Sequence, residues 1–349
     1  YVQQKVKAAI KKYGTGLGGP PLLNGFTVLM QELENRLAHL KHQEAAVIFP
    51  SGYMSNLGMV NALVRGKDKV LLDELSHASF YDALKLAKVE SATFSHNNLV
   101  EMEAKLEART EQREGTIFVS MEGVYSMDGD LAPLDQIIPI IKRYGAITML
   151  DDAHGTGVLG QTGSGTAEHF GVAHDIDLSM GTFSKSFAMT GGFVAGSRDA
   201  INFMRFFARP YMFSAALPPA SLAAVLAGID IIENEPWLRE RLLENARYGI
   251  EKLRPFGYST EPGADIVALR APEWLDMRRA NYYIHERGIF LNAIEYPAVP
   301  EDKQRFRISF MADHTREDID RLAEVLEETW HNPVLKKENQ EAGFEEANA

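Results

Sequence analysis

The chain has 349 residues, 45% of them hydrophobic, which is enough for a large core and for more than one domain. Its formal charge is −12, and no stretch gathers the Lys and Arg residues that a nucleic-acid surface needs. The absence of cysteine excludes disulfides and thiolate metal sites, and no apolar run is long enough to span a membrane. We therefore expect a cytoplasmic protein that does not bind nucleic acid.

The first residues, YVQQKVKAAIKKYG, have the pattern of an amphipathic helix with no initiator methionine before it. We expect an upstream segment to be missing from this sequence. The last residues, 336–349, are polar and acidic and predict a flexible tail.

Between residues 45 and 196, short apolar runs alternate with helix-like segments. The runs have strand length and are mostly rich in β-branched or large side chains: AAVIF, KVLLD, ATFS, TIFVS, AITML, IDLSM and GFVAG. Helical patterns such as NLVEMEAKLEART separate most of them. This alternation predicts an α/β domain with a mainly parallel sheet that helices cover on both faces.

The pattern changes after SAALPPA. Long helices are predicted at 219–233 and roughly 236–254, followed by strands near ADIVALR, GIFLN and FRISF and a closing helix from Thr315. These elements predict a smaller C-terminal α+β domain. The expected division is a large domain at 1–215, a helical connection and small domain at 216–335, and the tail.

Two glycine-containing motifs resemble nucleotide-binding loops. Gly14, Gly16 and Gly19 satisfy G-x-G-x-x-G, but a helix precedes them and two prolines follow, which favours a flexible turn. The segment GTFSKS at 181–186 ends like a phosphate-binding loop, but Ser184 stands where the glycine before the lysine is required. Neither motif therefore supports a kinase or a dinucleotide-binding enzyme.

Polar residues follow several predicted strands. Asp151 ends the strand of TMLDDAHGTG, with His154 after it; these residues form either a ligand site or a helix-capping loop, and no second His cluster suggests a metal. His77 follows KVLLD at a predicted helix start, where a plain cap is the alternative to a functional role. Ser51 and Gly52 open another helix, whose free N–H groups suit an anion.

An aspartate, a histidine, a lysine and an anion site at the strand ends of one sheet match the needs of pyridoxal phosphate. Its aldehyde requires a lysine amine, which Lys185 supplies, and its ring nitrogen requires a carboxylate, which Asp151 supplies. Thr182 and Ser184 offer hydroxyl groups to the phosphate. A nearby carboxylate keeps the ring nitrogen protonated, and the protonated ring acts as an electron sink.

The sequence resembles the α-oxoamine synthases, fold-type I pyridoxal-phosphate enzymes that condense an amino acid with an acyl thioester and release carbon dioxide. The resemblance spans nearly the whole chain and rests on motifs that include SGYMSNLG, DELSHAS, EGVYSMDGDLAPL, DDAHGTGVLG, GTFSKS and RISFMADHT. Within that family, GTFSKS and MFSAALPPA are most similar to the bacterial serine palmitoyltransferase branch.

The resemblance implies a role for each matching residue. Lys185 would hold the cofactor and move the α-proton, His77 would stack on the ring, Asp151 would pair with its nitrogen and His154 would bond its phenolic oxygen. Arg307 would read a carboxylate of the substrate. The remaining implied cofactor-site residues are Ser51, Gly52, Tyr53, Ser126, Thr182, Ser184 and Ser214. The resemblance also implies a homodimer with interfacial sites, in which Ser214 reaches the partner's phosphate.

Three positions depart from the family pattern. Pro20-Pro21 stands for Ser-Arg, Met30 for a histidine, and Glu295-Tyr296 for part of an Arg-Pro-Pro segment. Because coenzyme A is polyanionic, the loss of positive groups suggests a carrier-protein thioester or an unusual acyl group as alternatives to an ordinary acyl-coenzyme A.

The reaction that this resemblance favours joins L-serine to a long-chain acyl thioester and gives a 3-ketosphinganine-type aminoketone. One alternative is a related synthase of the 2-amino-3-ketobutyrate CoA ligase or 8-amino-7-oxononanoate synthase type that uses glycine or alanine. Another is a catalytically silent partner subunit, which the three departures favour and the retained Lys185, Asp151 and His77 oppose.

Overall fold

A computed structural model describes residues 1–258, 263–296 and 299–337. The chain forms two compact units. The larger unit comprises Tyr1–Ser126 and Asp130–Arg239, and the smaller comprises Met127–Gly129 and the residues from Glu240 onward. Across the described ranges, no helix is both long and apolar enough to cross a membrane.

The larger unit is built on a sheet of seven strands in the order β1-β7-β6-β5-β4-β2-β3. Strands β2 to β6 pair in parallel, and only β7 runs against its neighbours. Every residue of β1, β4, β6 and β7 is buried, as expected where helices cover both faces. The strands are β1 Ala45–Phe49, β2 Lys69–Asp73, β3 Glu90–Phe94, β4 Ile117–Glu122, β5 Ile147–Asp151, β6 Leu178–Thr182 and β7 Gly192–Gly196. The predicted mainly parallel α/β sheet is confirmed.

Helices connect these strands and cover the sheet. Two of them begin at residues singled out in the sequence: Ser51 caps α3 by accepting a bond from the Met54 N–H, and His77 caps α4 by accepting one from the Ser79 N–H. The helices of the larger unit are α1 Val2–Tyr13, α2 Val28–Leu40, α3 Gly52–Leu63, α4 Ala78–Ala87, α5 Leu99–Glu111, α6 Leu134–Arg143, α7 Thr166–His169, α8 Arg198–Phe207, α9 Arg209–Met212 and α10 Pro219–Asn234. Helix α11, Trp237–Leu253, starts at the boundary.

The smaller unit has its own antiparallel sheet, β8-β10-β9, and its own apolar core. Its elements are β8 Ile266–Arg270, α12 Met277–Glu286, β9 Asn292–Ile294, β10 Arg305–Ser309 and α13 Arg316–His331. Thr315 caps α13 in a capping box with Asp318, which explains the helix start predicted there. The α+β character predicted for this part of the chain is confirmed.

The boundary between the units differs from the prediction at residue 215. Helix α10 belongs to the larger unit because Leu222, Val225 and Ile229 on it pack into the core of that unit. The division therefore lies between Arg239 and Glu240.

The first two residues of the predicted tail form backbone bonds within the smaller unit. Lys336 bridges Leu275, and the Lys337 N–H donates to the Trp274 carbonyl at 2.9 Å. The rest of the predicted tail, 338–349, lies outside the described residues.

Candidate active site

Four polar residues end four neighbouring strands of the large sheet. Thr182, Asp151, Glu122 and Asp73 are the last residues of β6, β5, β4 and β2, which lie side by side in that order. All four are nearly fully buried. The carboxyl ends of parallel strands are where α/β proteins bind ligands, so this edge of the sheet is the candidate site.

Asp151 lies at the centre of this edge. Its Oδ2 accepts a hydrogen bond of 2.8 Å from Asn56 Nδ2, and its Oδ1 accepts one of 3.1 Å from the Ala153 N–H. Burial raises the pKa of the Asp151 carboxyl, while the Asn56 bond acts in the opposite direction. A positively charged group brought against this carboxylate would relieve that penalty, as a protonated ring nitrogen does.

Asp152, the next residue, has a different role. Its Oδ2 lies 2.6 Å from Lys41 Nζ, and its Oδ1 accepts a bond of 2.6 Å from Thr166 Oγ1. Lys41 also bonds the Ser164 carbonyl, so the pair fastens the glycine-rich loop that follows β5. Asp152 is therefore a structural residue of this loop.

His77 stands beside this edge, at the start of α4. Its Nδ1 lies 2.7 Å from Ser79 Oγ and accepts a bond of 3.2 Å from the Ser79 N–H. The Tyr53 ring contacts the His77 ring edge-on, with centroids 6.5 Å apart, and the Tyr53 hydroxyl bonds Asp82. One side of the imidazole is thus anchored, while the residue remains exposed to solvent.

A close-packed cradle of small residues lies at the N-terminus of α3. A Cβ added to Gly52 would lie 2.8 Å from Thr182 Oγ1, and one added to Gly192 would lie 2.8 Å from the Gly52 nitrogen. Thr182 Oγ1 also lies 3.0 Å from Ser184 Oγ. Hydroxyl groups and helix N–H groups thus meet where only glycine fits, an arrangement that suits a phosphate.

Lys185 lies on the loop that joins β6 to β7 and is exposed to solvent. Hydrogen bonds tie this loop down: the Phe183 N–H donates to the Gly191 carbonyl at 2.9 Å, and Ser186 Oγ donates to the Thr156 carbonyl at 2.8 Å. The loop therefore presents the lysine from a fixed backbone next to Thr182.

The other predicted residues fall at different places. His154 is buried on the loop after β5, and the Ser126 N–H donates to Glu122 Oε2 at 3.1 Å. Ser214 lines a small cavity together with Pro21 and Met30, both of which are buried. The structure therefore places two of the family departures beside Ser214.

Arg307 lies in the smaller unit, on β10. One of its guanidinium N–H groups donates to Ser309 Oγ at 3.1 Å. Burial lowers the pKa of the Arg307 guanidinium, and Asp265 acts in the opposite direction.

The glycine motif at 14–19 is a turn between α1 and the short turn Pro21–Gly25. It lacks the preceding strand and following helix that a dinucleotide-binding loop requires, in agreement with the turn expected from the sequence.

Sequence reasoning missed Glu122. It pairs in register with Asp151 on the neighbouring strand and is 3% exposed. Burial, followed by the charge of Asp151, raises the pKa of its carboxyl well above the ordinary value. The strand-end rule that identified Asp151 would have identified Glu122 had it been applied to TIFVSME.

A second missed cluster surrounds Asp73. His96 Nδ1 lies 3.1 Å from Asp73 Oδ1, and His96 Nε2 lies 2.7 Å from Asp130 Oδ2. These two carboxylates outweigh the effect of burial and raise the pKa of His96 to about 10. The charged imidazole fastens the loop after β3 to the loop after β4.

These residues fit pyridoxal phosphate. The lysine, the buried carboxylate with a raised pKa and the glycine cradle correspond to the aldehyde, the ring nitrogen and the phosphate of the cofactor. Together with the sheet order, they define the class of the protein as a fold-type I pyridoxal-phosphate enzyme.

Comparison with known proteins shows to which family of pyridoxal-phosphate enzymes the chain belongs. The model of the family "Aminotransferase class I and II" matches residues 2–326. The chain is 39% identical over 320 residues to 8-amino-7-oxononanoate synthase of Lysinibacillus sphaericus, covering 91% of this chain and 82% of the relative. It is 38% identical over 337 residues to serine palmitoyltransferase of Bacteriovorax stolpii, covering 94% and 78%.

A solved structure agrees with these relatives. Serine palmitoyltransferase of S. paucimobilis, solved with bound pyridoxal phosphate and myriocin, superposes with a TM-score of 0.87 at 32% identity, covering 94% of this chain and 83% of that chain. The chain belongs to the α-oxoamine synthase family, and it is a pyridoxal-phosphate-dependent acyltransferase.

Proposed function

We propose that this enzyme condenses L-serine with a long-chain acyl thioester, releasing carbon dioxide and a thiol and giving a 3-ketosphinganine-type aminoketone. The superposition on a serine palmitoyltransferase over 94% of the chain is the observation that carries this proposal. The motifs GTFSKS and MFSAALPPA give it further support.

The proposed reaction has five events, in which atoms and charges balance. The serine α-proton is removed, and the α-carbon attacks the thioester carbonyl and expels the thiolate. The bond from that carbon to the carboxylate then breaks and releases carbon dioxide, after which the carbon is reprotonated. The thiolate takes up a proton from solvent. The bound cofactor supplies an electron sink that makes the α-carbon both acidic and nucleophilic.

We assign the residues of this chain to these events as follows. The Lys185 amine holds the cofactor and afterwards removes the α-proton and returns one to the same carbon. The Asp151 carboxylate keeps the ring nitrogen protonated, and Thr182, Ser184 and the N-terminus of α3 bind the phosphate.

We propose roles for five further residues. The His77 imidazole packs on the ring, His154 bonds the phenolic oxygen, Tyr53 lies at the phosphate end and Ser126 is a polar group facing the substrate. Arg307 binds a carboxylate of the substrate, which its five guanidinium donors suit.

The acyl carrier is the least constrained part of the proposal. Pro21 and Met30 are apolar and buried at positions where the family resemblance leads us to expect an arginine and a histidine, and the Glu295 carboxylate accepts a bond of 3.0 Å from Arg278 Nε. A carboxylate and apolar groups do not suit the polyanionic nucleotide of coenzyme A. An acyl carrier protein is therefore one of the donors to be tested.

The 39% identity to an 8-amino-7-oxononanoate synthase favours a second candidate, condensation of alanine or glycine with another acyl thioester. Both candidates use the same residues at the cofactor and differ only in the amino acid and the acyl chain.

A product screen separates the candidates. The purified enzyme is incubated with serine, alanine or glycine and with acyl thioesters of different length on coenzyme A and on acyl carrier protein, and the aminoketones are identified by mass spectrometry. We expect product from serine and long chains. Product from alanine or glycine alone would overturn the choice of serine, and bound cofactor without any product would favour a silent subunit.

We also propose a cytoplasmic homodimer in which Ser214 reaches the phosphate site of the second copy. Light scattering after size-exclusion chromatography is expected to give twice the mass of the chain, 38.8 kDa. Fractionation of the cell is expected to leave the enzyme with the cytosol. A monomer that retains full activity would contradict the shared site.

A further inference from the structure

A chain of hydrogen bonds links His77 to Asp151 through two residues to which no function has been assigned. His77 Nδ1 lies 2.7 Å from Ser79 Oγ, Asn56 Nδ2 lies 2.9 Å from the same Oγ, and the same Nδ2 lies 2.8 Å from Asp151 Oδ2. Asn56, Ser79 and Asp151 are almost fully buried. The four side chains come from three elements, α4 with its cap, α3 and β5, so the link is a feature of the tertiary structure.

The donors and acceptors in this series of hydrogen bonds fix which group donates in each bond. Asn56 Nδ2 donates one hydrogen to Asp151 Oδ2 and the other to Ser79 Oγ. The Ser79 hydroxyl, already an acceptor there, has one hydrogen left, and the remaining neighbour at hydrogen-bond distance is His77 Nδ1.

A second bond to the same ring nitrogen supports this direction. The Ser79 backbone N–H points at His77 Nδ1 with a distance of 3.2 Å. A backbone N–H only donates, so Nδ1 is an acceptor and carries no proton. In the neutral ring the proton is then on Nε2.

This arrangement leaves the amide oxygen of Asn56 without a hydrogen bond within the described ranges. Its Oδ1 is buried and has no hydrogen-bond partner among the residues that the structure describes. An unpaired buried acceptor is unfavourable for folding, so stability alone does not explain the choice of Asn at this position. Rotating the amide to pair Oδ1 would place it against the carboxylate, and both bonds of the NH₂ group would be lost.

We propose that Ser79 and Asn56 are positioning residues that hold His77 in the Nε2–H tautomer and keep the Asp151 carboxylate ionised. The site then contains a ring that offers a hydrogen-bond donor at Nε2 and a carboxylate ready for the ring nitrogen of the cofactor. The inference rests on the proposed function for the placement of both groups in one site, but the tautomer itself is a property of the protein without substrate.

The first test reads the tautomer directly. Nitrogen-15 NMR of histidine-labelled protein, with the His77 signals assigned from the H77Q variant, is recorded with and without pyridoxal phosphate. We expect the Nε2–H tautomer in the wild type. In S79A only the longer of these two bonds, that from the backbone N–H, remains at Nδ1, so we expect a larger share of the Nδ1–H tautomer than in the wild type. The control is S179A, because Ser179 is also a buried serine but its hydroxyl has no partner among the described residues. A proton on Nδ1 in the wild type, or an unchanged His77 signal in S79A, would overturn the proposal.

The second test follows Asn56 and does not depend on S79A folding. N56A removes the bond that opposes the raised pKa of Asp151, and we expect a roughly ten- to hundredfold weaker affinity for pyridoxal phosphate, the effect of one bond to a charged group. The loss is expected to shrink as the pH rises and Asp151 ionises in the variant as well. Unchanged affinity in N56A would contradict the role of Asn56.

The matched control is N61A. Asn61 lies on the same helix and its Nδ2 donates to the Leu57 carbonyl at 2.9 Å, away from Asp151. We expect the affinity of N61A for pyridoxal phosphate to equal that of the wild type, and an equal loss in both variants would mean that the helix, and not the link, is responsible. Neither measurement uses the acyl-transfer reaction. Both tests can therefore support this inference even if the enzyme does not accept serine as a substrate.

Discussion

Asp151 and Asp152 are neighbours in the chain and both are buried, but they have different kinds of partner. Asp152 lies 2.6 Å from the Lys41 ammonium and also binds Thr166. Asp151 accepts bonds from an amide and a backbone N–H, which are both neutral. The negative charge of a buried carboxylate is already compensated when a cation of the same chain pairs with it. A buried carboxylate that has only neutral donors is still stabilised when a positively charged group binds to it.

The same contrast holds along the sheet edge. Asp73 is paired with the charged His96, and the pKa of its carboxyl is lowered by His96 and nearby N–H groups despite burial. The pKa values of Asp151 and Glu122 are instead raised, with burial as the largest cause. We therefore expect substitutions of Asp152 and Asp73 to act on folding and substitution of Asp151 to act on the cofactor.

Asp151→Asn is the strongest test of this contrast. The amide keeps the shape of the side chain but removes the charge that we propose holds the ring nitrogen of the cofactor protonated, an effect worth about 1–3 units of the ring-nitrogen pKa. We expect turnover and cofactor affinity to fall roughly ten- to a thousandfold, with the urea midpoint of the cofactor-free protein unchanged or higher. A variant with wild-type turnover would remove Asp151 from the site.

Lys41→Met tests the structural role of Asp152. It leaves the Asp152 carboxylate buried without its cation, which costs about 3–5 kcal/mol in free energy of unfolding. Urea denaturation measures the loss, and the double variant Lys41→Met/Asp152→Asn is expected to recover part of it. Lys142→Met, which breaks the exposed pair with Asp175, is the control and is expected to cost no more than about 1 kcal/mol.

The fold was largely predictable because its strands are covered on both faces and so read as unbroken apolar runs. The pattern locates β9 only approximately: it predicts the strand near GIFLN, and the strand is found at Asn292–Ile294, which shares Asn292 with that run. Phe290, the largest residue of that run, is 82% exposed, and pairing with β10 decides the strand. Likewise, the apolar sequence of α10 predicts a helix but does not say which of two cores it joins.

The site was predictable where one local rule suffices. Asp151 and Thr182 end strands and Ser51 and His77 begin helices, as their sequence context predicts. Asn56 and Ser79 lie within helices, and their importance depends on which side chains they meet across the fold. The roles of the site residues remain predictions that the variants described here test.

His96→Gln tests a histidine that is paired with two carboxylates and whose contribution to the free energy of unfolding depends on pH. Because the pKa of His96 is raised from 6.5 to about 10, the folded chain keeps a proton that the unfolded chain releases above pH 6.5. The stabilisation by His96 is thus complete below pH 6.5 and is lost as the pH rises toward 10. We expect the variant to lose about 1.5–3 kcal/mol at pH 6 and to approach the wild type near pH 10. Parallel curves of unfolding free energy against pH would contradict the charged imidazole.

Glu122→Gln is expected to have the smallest effect, and its sign is the informative part. The folded chain keeps a proton on Glu122 that the unfolded chain releases above its ordinary pKa of 4.5, so this residue lowers stability as the pH rises from there toward the native pKa. Gln is neutral at every pH and keeps the shape. The variant should match the wild type within about 1 kcal/mol at pH 5 and be the more stable of the two at pH 8.

Glu34→Gln is the matched contrast for this last prediction. Glu34 is as buried as Glu122, but its Oε2 lies 2.6 Å from an Arg205 nitrogen and its pKa is raised only to about 7. The stability lost through ionisation of Glu34 therefore accumulates between pH 4.5 and 7 and is constant above pH 7, so the advantage of Glu34→Gln over the wild type should stop growing near pH 7. We expect the advantage of Glu122→Gln to keep growing above pH 7, and if it stopped growing at the same pH as that of Glu34→Gln, the neutral acid beside Asp151 would have to be abandoned.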